Sequence, residues 1–91
     1  MSAATQAFLD AAISIAASTY PDKVMLLADK IRDADPNSVS AQSLGWGTGA
    51  KATQLVGELI EAWRLSGIAA DEAAGILVGT SGMYAHSAAT Q

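Results

Sequence analysis

Hydrophobic and polar residues follow one another along this chain with the period of an α-helix almost throughout. Apolar residues recur three or four positions apart, and no stretch alternates strictly as a half-buried strand does. The pattern predicts an all-α protein, and its breaks divide the chain into a compact five-helix bundle with a short third helix. With 91 residues, one helical domain over 1–91 is expected, with a frayed tail at about 86–91.

The segment STYPDK separates the first two predicted helices. The first helix runs from a cap at Ser2 to about Ser18 and carries two adjoining apolar stripes. Pro21 and Asp22 suit the first turn of the second helix, because proline loses no hydrogen bond there and the carboxylate meets the positive end of the helix dipole. The apolar stripe of this second helix comprises Val24, Leu27, Ala28 and Ile31.

The next two helices are predicted from their boundaries. A short helix over 36–44 follows from Asp35 as its N-cap and Gly45 as its terminator. The fourth helix is capped by Thr48 and ends at Gly67. Its apolar face includes Trp63, which is expected in the core, and its polar face includes an i, i+3 pair between Glu61 and Arg64.

The last predicted helix begins near Ala69 or Ala70 and contains three glycines, Gly75, Gly79 and Gly82. Each glycine costs about 1 kcal/mol relative to alanine inside a helix, and such a cost usually has a packing cause. The cause is either a close helix crossing inside the bundle or a close crossing between two molecules. The apolar side of this helix is assigned to Ala73, Ile76, Leu77, Met83 and Tyr84.

The stretch LGWGTGAKAT, residues 44–53, resembles a phosphate-binding loop at first sight. Counted from Gly45, however, alanine stands at position 50, where the motif needs glycine, and at position 52, where it needs serine or threonine. A helix rather than a strand is predicted before it. The glycines are therefore interpreted as boundaries between helices. Trp46 is either a lid over the core or an exposed anchor for a partner.

Few residues in the chain suit catalysis or metal binding. There is no cysteine, and His86 is the single histidine. A metal site needs several converging nitrogen, sulfur or carboxylate ligands, and a serine nucleophile needs a base. No catalytic, cofactor or metal residue is therefore assigned, and a non-enzymatic protein is expected.

The charge balance bears on partners and location. The net charge is −4, with five basic residues among nine acidic ones, whereas nucleic-acid affinity rests on basic side chains at phosphates. No apolar run reaches the roughly 18 residues needed to cross a bilayer, and the N-terminus lacks the basic start of a signal peptide. These features argue against nucleic acid and membrane partners. Together with the missing cysteines, they favour a cytoplasmic protein.

Two segments of the chain carry a resemblance to a known family: IAASTYPDKVMLLADKIRDADP and GAKATQLVGELIEAWRLSGIAADEAAGILVGTSGMY. Together they resemble the helical N-terminal region of phospholipase D-like proteins of bacterial DISARM-type anti-phage systems, over about two thirds of the chain. The matching residues are Pro21, Val24, Leu27, Ala28, Ile31, Ala62, Trp63, Arg64, Ser66 and Gly67.

That family's catalytic signature, H-x-K-x-x-x-x-D, is missing here, since His86 is followed by Ser87 and Ala88. The resemblance therefore implies a detached helical domain or a free-standing relative without the family's activity.

The sequence thus predicts a helical protein–protein interaction or assembly domain of a bacterial cytoplasmic system, with phage defence as the implied setting. Its partner is another protein or a second copy of itself. The candidate interaction surface comprises Trp46, Gly75, Gly79 and Gly82. Two other classes stay open: a bundle that binds a small molecule or lipid in a pocket beneath Trp46 and Trp63, and a small nucleic-acid-associated regulator.

Overall fold

A computed structural model describes residues 2–46 and 49–85 of the chain, and this part is helical and contains no strand. The all-α prediction is confirmed. The helices are α1 (Ala3–Ser18), α2 (Pro21–Arg32), α3 (Ala50–Ser66) and α4 (Ala70–Thr80), and a π-helical turn, Ser81–Ala85, continues α4.

The described residues contain four α-helices rather than the five predicted, because the segment 36–44 forms turns instead of a helix. The Asp35 carboxylate accepts hydrogen bonds from the backbone N–H of Asn37 at 3.0 Å and from the hydroxyl of Ser38 at 3.1 Å. These hydrogen bonds hold the pKa of Asp35 below its ordinary value, and the bond from the Asn37 backbone contributes most. Ser40 and Ser43 bind each other's backbone N–H groups at 2.9 and 3.2 Å. Short polar side chains that bond locally in this way compete with helix formation.

Gly45, predicted to terminate the short helix, ends a single turn instead. Gly45 adopts a φ of 73°, which favours glycine. Its N–H donates to the carbonyl of Gln42 at 2.9 Å, and the N–H of Trp46 donates to that of Ala41 at 3.0 Å. This is the bonding of a Schellman motif. The Lys30 ammonium also donates to the Leu44 carbonyl at 3.0 Å, which ties the turn to α2.

The boundaries predicted for α1 and α2 agree with the structure. The Ser2 hydroxyl accepts a hydrogen bond from the backbone N–H of Thr5 at 3.0 Å and caps α1. Pro21 opens α2, with Asp22 in its first turn. For α3, Gly49 occupies the N-cap position. The predicted cap Thr48 lies outside the described residues, as do Gly47, His86 and the tail 86–91.

The helices form one core, with the main contacts running from α3 to α1, from α1 to α4 and from α4 to α2. The start of α2 lies beside the end of α4, where the Met25 sulfur is 3.6 Å from the Ser81 hydroxyl oxygen. All four residues of the predicted α2 stripe are fully buried, as expected. The largest fully buried side chains are Trp63, Phe8, Ile15, Leu27, Ile31, Leu59, Leu77, Val24 and Val56.

The corner between α3 and α4 is built around Trp63. This residue is only 1% exposed, so its predicted core position is confirmed. Its indole Nε1–H donates to the Ile68 carbonyl at 2.7 Å. Gly67 ends α3 with a φ of 73°, and its N–H donates to the Trp63 carbonyl at 3.2 Å. The Ser66 hydroxyl donates to the same carbonyl and accepts from the N–H of Ile68. One buried side chain thus fixes the direction in which α4 leaves α3.

Candidate functional site

The outward face of α4 carries two of the predicted interaction residues, Gly75 and Gly79, and Gly82 lies on the π-helical turn that follows. All three glycines are exposed, whereas Ala73 and Leu77 are fully buried on the opposite side. A Cβ atom built on any of the three glycines would find no heavy atom within 4 Å, apart from its two chain neighbours and the backbone of its own helix. A close helix crossing inside the bundle is one of the two explanations for these glycines, and the structure contradicts it.

Met83 extends this glycine-lined surface, because it lies four residues after Gly79 and so on the same side of the helix. The sequence pattern predicts its side chain on the core side, but Met83 is 71% exposed. Ile76 is half-buried beside the glycines. From Ala73 to the end of the chain, no residue is Asp, Glu, Lys or Arg. We call the surface formed by Gly75, Ile76, Gly79, Gly82 and Met83 the α4 face.

The lack of charge on the α4 face is unusual for a helix surface that meets water, since the exposed side of an amphipathic helix normally carries charged and polar side chains. Asp71 and Glu72 lie in the first turn of α4, where they interact favourably with the helix dipole. Beyond that turn, the described outward positions offer glycine backbone and apolar side chains. The α4 face is therefore shaped to let another backbone come close.

Trp46 lies elsewhere, at a cleft formed by the end of α1, the start of α2 and the start of α3. The cleft has a volume of about 220 Å³. Trp46 is half-buried and packs against the core, which agrees with a lid over the core, one of the two alternatives for this residue. The apolar walls of this Trp46 cleft are Ile15, Leu26, Trp46, Ala52 and Leu55, and its polar residues include Ser18, Thr19 and Lys23.

The four residues assigned to one interaction surface thus occupy two separate sites, since no residue of α4 lines the Trp46 cleft. The pocket predicted beneath both tryptophans involves Trp46 alone, because Trp63 is buried at the α3–α4 corner. Sequence reasoning missed Lys23 and Leu26 at the cleft. The available signal was Leu26, an apolar residue outside the buried stripe of α2.

Three of the five basic residues make specific contacts within the described chain. Arg32 pairs with Asp29 at 2.8 Å, and Arg64 pairs with Glu61, as the sequence predicts. Lys30 binds the Leu44 carbonyl. Lys23 at the cleft and Lys51 in the first turn of α3 form no ion pair with the described residues. Each of the two arginines is therefore paired with an acid of its own helix.

The described residues show no cluster of side chains suited to hold a metal ion. Within 2–46 and 49–85, no three His, Cys, Asp or Glu side chains come together as metal ligands. Every buried side-chain nitrogen or oxygen in that part has a hydrogen-bond partner. None of the helices described is long and apolar enough to cross a membrane.

Comparisons with known proteins found no matching family model, no matching curated protein and no matching solved structure.

Proposed function

We propose that this protein is a non-enzymatic helical interaction and assembly module, and that its contact surface is the α4 face. The observation that carries the proposal is the position of Gly75 and Gly79. Both lie within α4, Gly75 at its centre and Gly79 in its last turn, at a cost of up to about 1 kcal/mol each, and an added Cβ at either would meet no atom outside its own stretch of helix. A close crossing with a second molecule supplies the packing cause that the bundle does not.

A second copy of the same chain is the partner that best fits the α4 face. The face carries no charge beyond its first turn, so it does not call for an oppositely charged partner. Two identical faces related by a two-fold axis are self-complementary when both are flat and small. A crossing at Gly79 leaves Asp71 about 12 Å away along the helix axis, which limits repulsion between the acidic ends.

The expected association is weak. The α4 helix has 11 residues and is therefore about 16 Å long and, with side chains, roughly 10 Å wide. The area given by this length and width is well below the approximately 800 Å² that each partner contributes to a standard protein interface. Dimers are therefore expected at high protein concentration, with dissociation constants in the high micromolar range or above.

Disulfide trapping tests this proposal directly, because the chain has no cysteine of its own. Gly79→Cys is expected to form a covalent dimer in oxidised glutathione, since a two-fold crossing at Gly79 brings the two Cα atoms within the roughly 7 Å that a disulfide requires. The product is measured by non-reducing electrophoresis and mass spectrometry. Gly57→Cys is the matched control: Gly57 is also an exposed helical glycine at which an added Cβ would meet no atom outside its own helix, but it lies on α3. Equal cross-linking rates for the two variants would contradict the proposal.

We further propose that this module acts in the cytoplasm of a bacterium as part of an anti-phage system. The support is the resemblance of the α2 and α3 segments to the helical region of DISARM phospholipase D-like proteins. The matched residues include Val24, Leu27 and Ile31 in the core, and Trp63 and Gly67 at the α3–α4 corner. These positions determine the fold, so the resemblance supports a shared helical scaffold and carries no catalytic residue.

The two alternative functions differ in their support. A small-molecule or lipid-binding role is favoured by one observation, the Trp46 cleft. A nucleic-acid-associated role has less support, because the net charge is −4 and Arg32 and Arg64 are each paired with an acid on their own helix. The small-molecule role is therefore the better supported of the two alternatives.

A further inference from the structure

We propose that the Trp46 cleft binds a small aromatic carboxylate. This inference goes beyond the assembly function and does not rest on it, because the cleft is lined by α1, α2, α3 and the turn at Gly45 and Trp46, and the α4 face is not part of it. Three properties of the cleft support it: its volume, the chemistry of its walls and the charge at its edge.

The volume limits the ligand to one or two rings. An apolar protein cavity of about 150 Å³ is known to hold benzene. At about 220 Å³, the Trp46 cleft is somewhat larger and suits a bicyclic aromatic group better than a long acyl chain. Its walls are apolar, with Ile15, Leu26 and Leu55 beside the half-buried indole of Trp46. Aromatic groups pack favourably against such an indole.

The charge at the cleft favours an anion. Lys23 is the one formally charged residue among the described lining residues, and it forms no ion pair within the described chain. The end of α1 at Ser18 and the starts of α2 at Lys23 and of α3 at Ala52 border the cleft. The dipole of each helix contributes about half a charge, negative at the end of α1 and positive at the two helix starts. The full positive charge of Lys23 has the same sign as the sum of these effects, and a carboxylate is the matching group.

The test uses 2-naphthoate as the probe and the neutral 2-naphthamide as its uncharged counterpart, added to the ¹⁵N-labelled full chain. Ligands of this size bind with a dissociation constant on the order of 1 mM. The indole N–H signal of Trp46 is expected to shift with 2-naphthoate and to saturate. The indole of Trp63 serves as an internal control, because its N–H is bonded to the Ile68 carbonyl away from the cleft.

Three variants separate the contribution of the Lys23 charge to binding from that of the space in the cleft. Lys23→Met is expected to weaken 2-naphthoate binding by about threefold, the effect of one exposed ion pair, and to leave 2-naphthamide binding unchanged. Lys51→Met is the matched control, because Lys51 carries the same charge in the first turn of α3 but does not line the cleft. Ala52→Leu fills the cleft and is expected to abolish binding of both probes, with helix content checked by circular dichroism.

The proposal is overturned if the Trp46 signal does not move at probe concentrations up to about 10 mM, tenfold above the expected dissociation constant. It is also overturned if 2-naphthamide binds as tightly as 2-naphthoate, or if Lys23→Met and Lys51→Met have equal effects. Because none of these readouts depends on α4, they can fail while the assembly proposal holds, and the reverse is equally true.

Discussion

Trp63→Ala is expected to lower the free energy of unfolding by about 3–5 kcal/mol, a larger loss than we expect from either Trp63→Phe or Trp46→Ala. The side chain is the largest of those that are fully buried. Its removal leaves a cavity and deprives the Ile68 carbonyl of its indole donor. A domain of this length is typically stable by about 5–14 kcal/mol, so the loss is a large fraction of the total.

Urea denaturation followed by circular dichroism measures this loss of stability. Two controls show how much of it comes from the indole N–H and how it compares with the loss of a half-buried indole. Trp63→Phe keeps an aromatic ring but loses the N–H, and it is expected to cost about 1–2 kcal/mol. Trp46→Ala removes a half-buried ring and is expected to cost about the same. If Trp63→Ala cost less than Trp46→Ala, Trp63 would not be the centre of the α3–α4 corner.

The double substitution Gly75→Ala with Gly79→Ala is expected to stabilise the monomer by about 1–2 kcal/mol. Both residues have helical backbone, and an added Cβ meets no atom outside its own stretch of helix. Alanine therefore stabilises the helix through its higher helix propensity and lowers the conformational entropy of the unfolded chain. It does so without a steric penalty in the folded state. For a domain of this size, the melting temperature rises by about 4–8 °C for each kcal/mol.

The melting temperature is measured at low micromolar concentration, where weak dimers dissociate. Gly57→Ala is the matched control on α3 and is expected to give a gain of similar size per residue, because its added Cβ is equally unhindered. A fall in melting temperature for the α4 double variant alone would show that the glycines pack against the chain's own residues. That result would remove the argument for an intermolecular crossing.

Much of the fold was predictable from local sequence signals. The cap at Ser2, the proline that opens α2, and the terminators Gly45 and Gly67 each act through their own backbone conformation or side-chain bond. Such local effects can be read without knowledge of the tertiary structure. The buried α2 stripe follows from a helical period, which any helix packed on one side must show.

The third helix could not be excluded by the same reasoning, because its end signals also occur in turns. Asp35 has the side chain of an N-cap, yet its carboxylate closes a turn over Asn37 and Ser38. Gly45 ends a turn as readily as a helix. Only Val39, Ala41 and Leu44 supply apolar contacts between them, too few to stabilise a helix by packing.

The candidate sites were only partly predictable. The three glycines are recognisable as unusual, but whether they face inward depends on their position relative to Ala73 and Leu77. Gly75 and Gly79 each lie two residues after one of these buried positions, which turns them by about 200° to the outer side. The Trp46 cleft could not be predicted in detail, because it joins the corner between α1 and α2 to the start of α3, which is distant from that corner in sequence.

Sedimentation equilibrium of the wild-type chain, Gly79→Leu and the control Gly57→Leu tests the central claim, that the α4 face mediates assembly. We expect the wild type and Gly57→Leu to show an average mass that rises from one chain toward two as concentration increases. We expect Gly79→Leu to remain monomeric because the leucine blocks the crossing. Its melting temperature is expected to be at least that of the wild type, because the added Cβ meets no atom outside its own helix and leucine has the higher helix propensity. A wild type that stays monomeric at millimolar concentration, or a Gly79→Leu variant that associates as the wild type does, would contradict assembly through the α4 face.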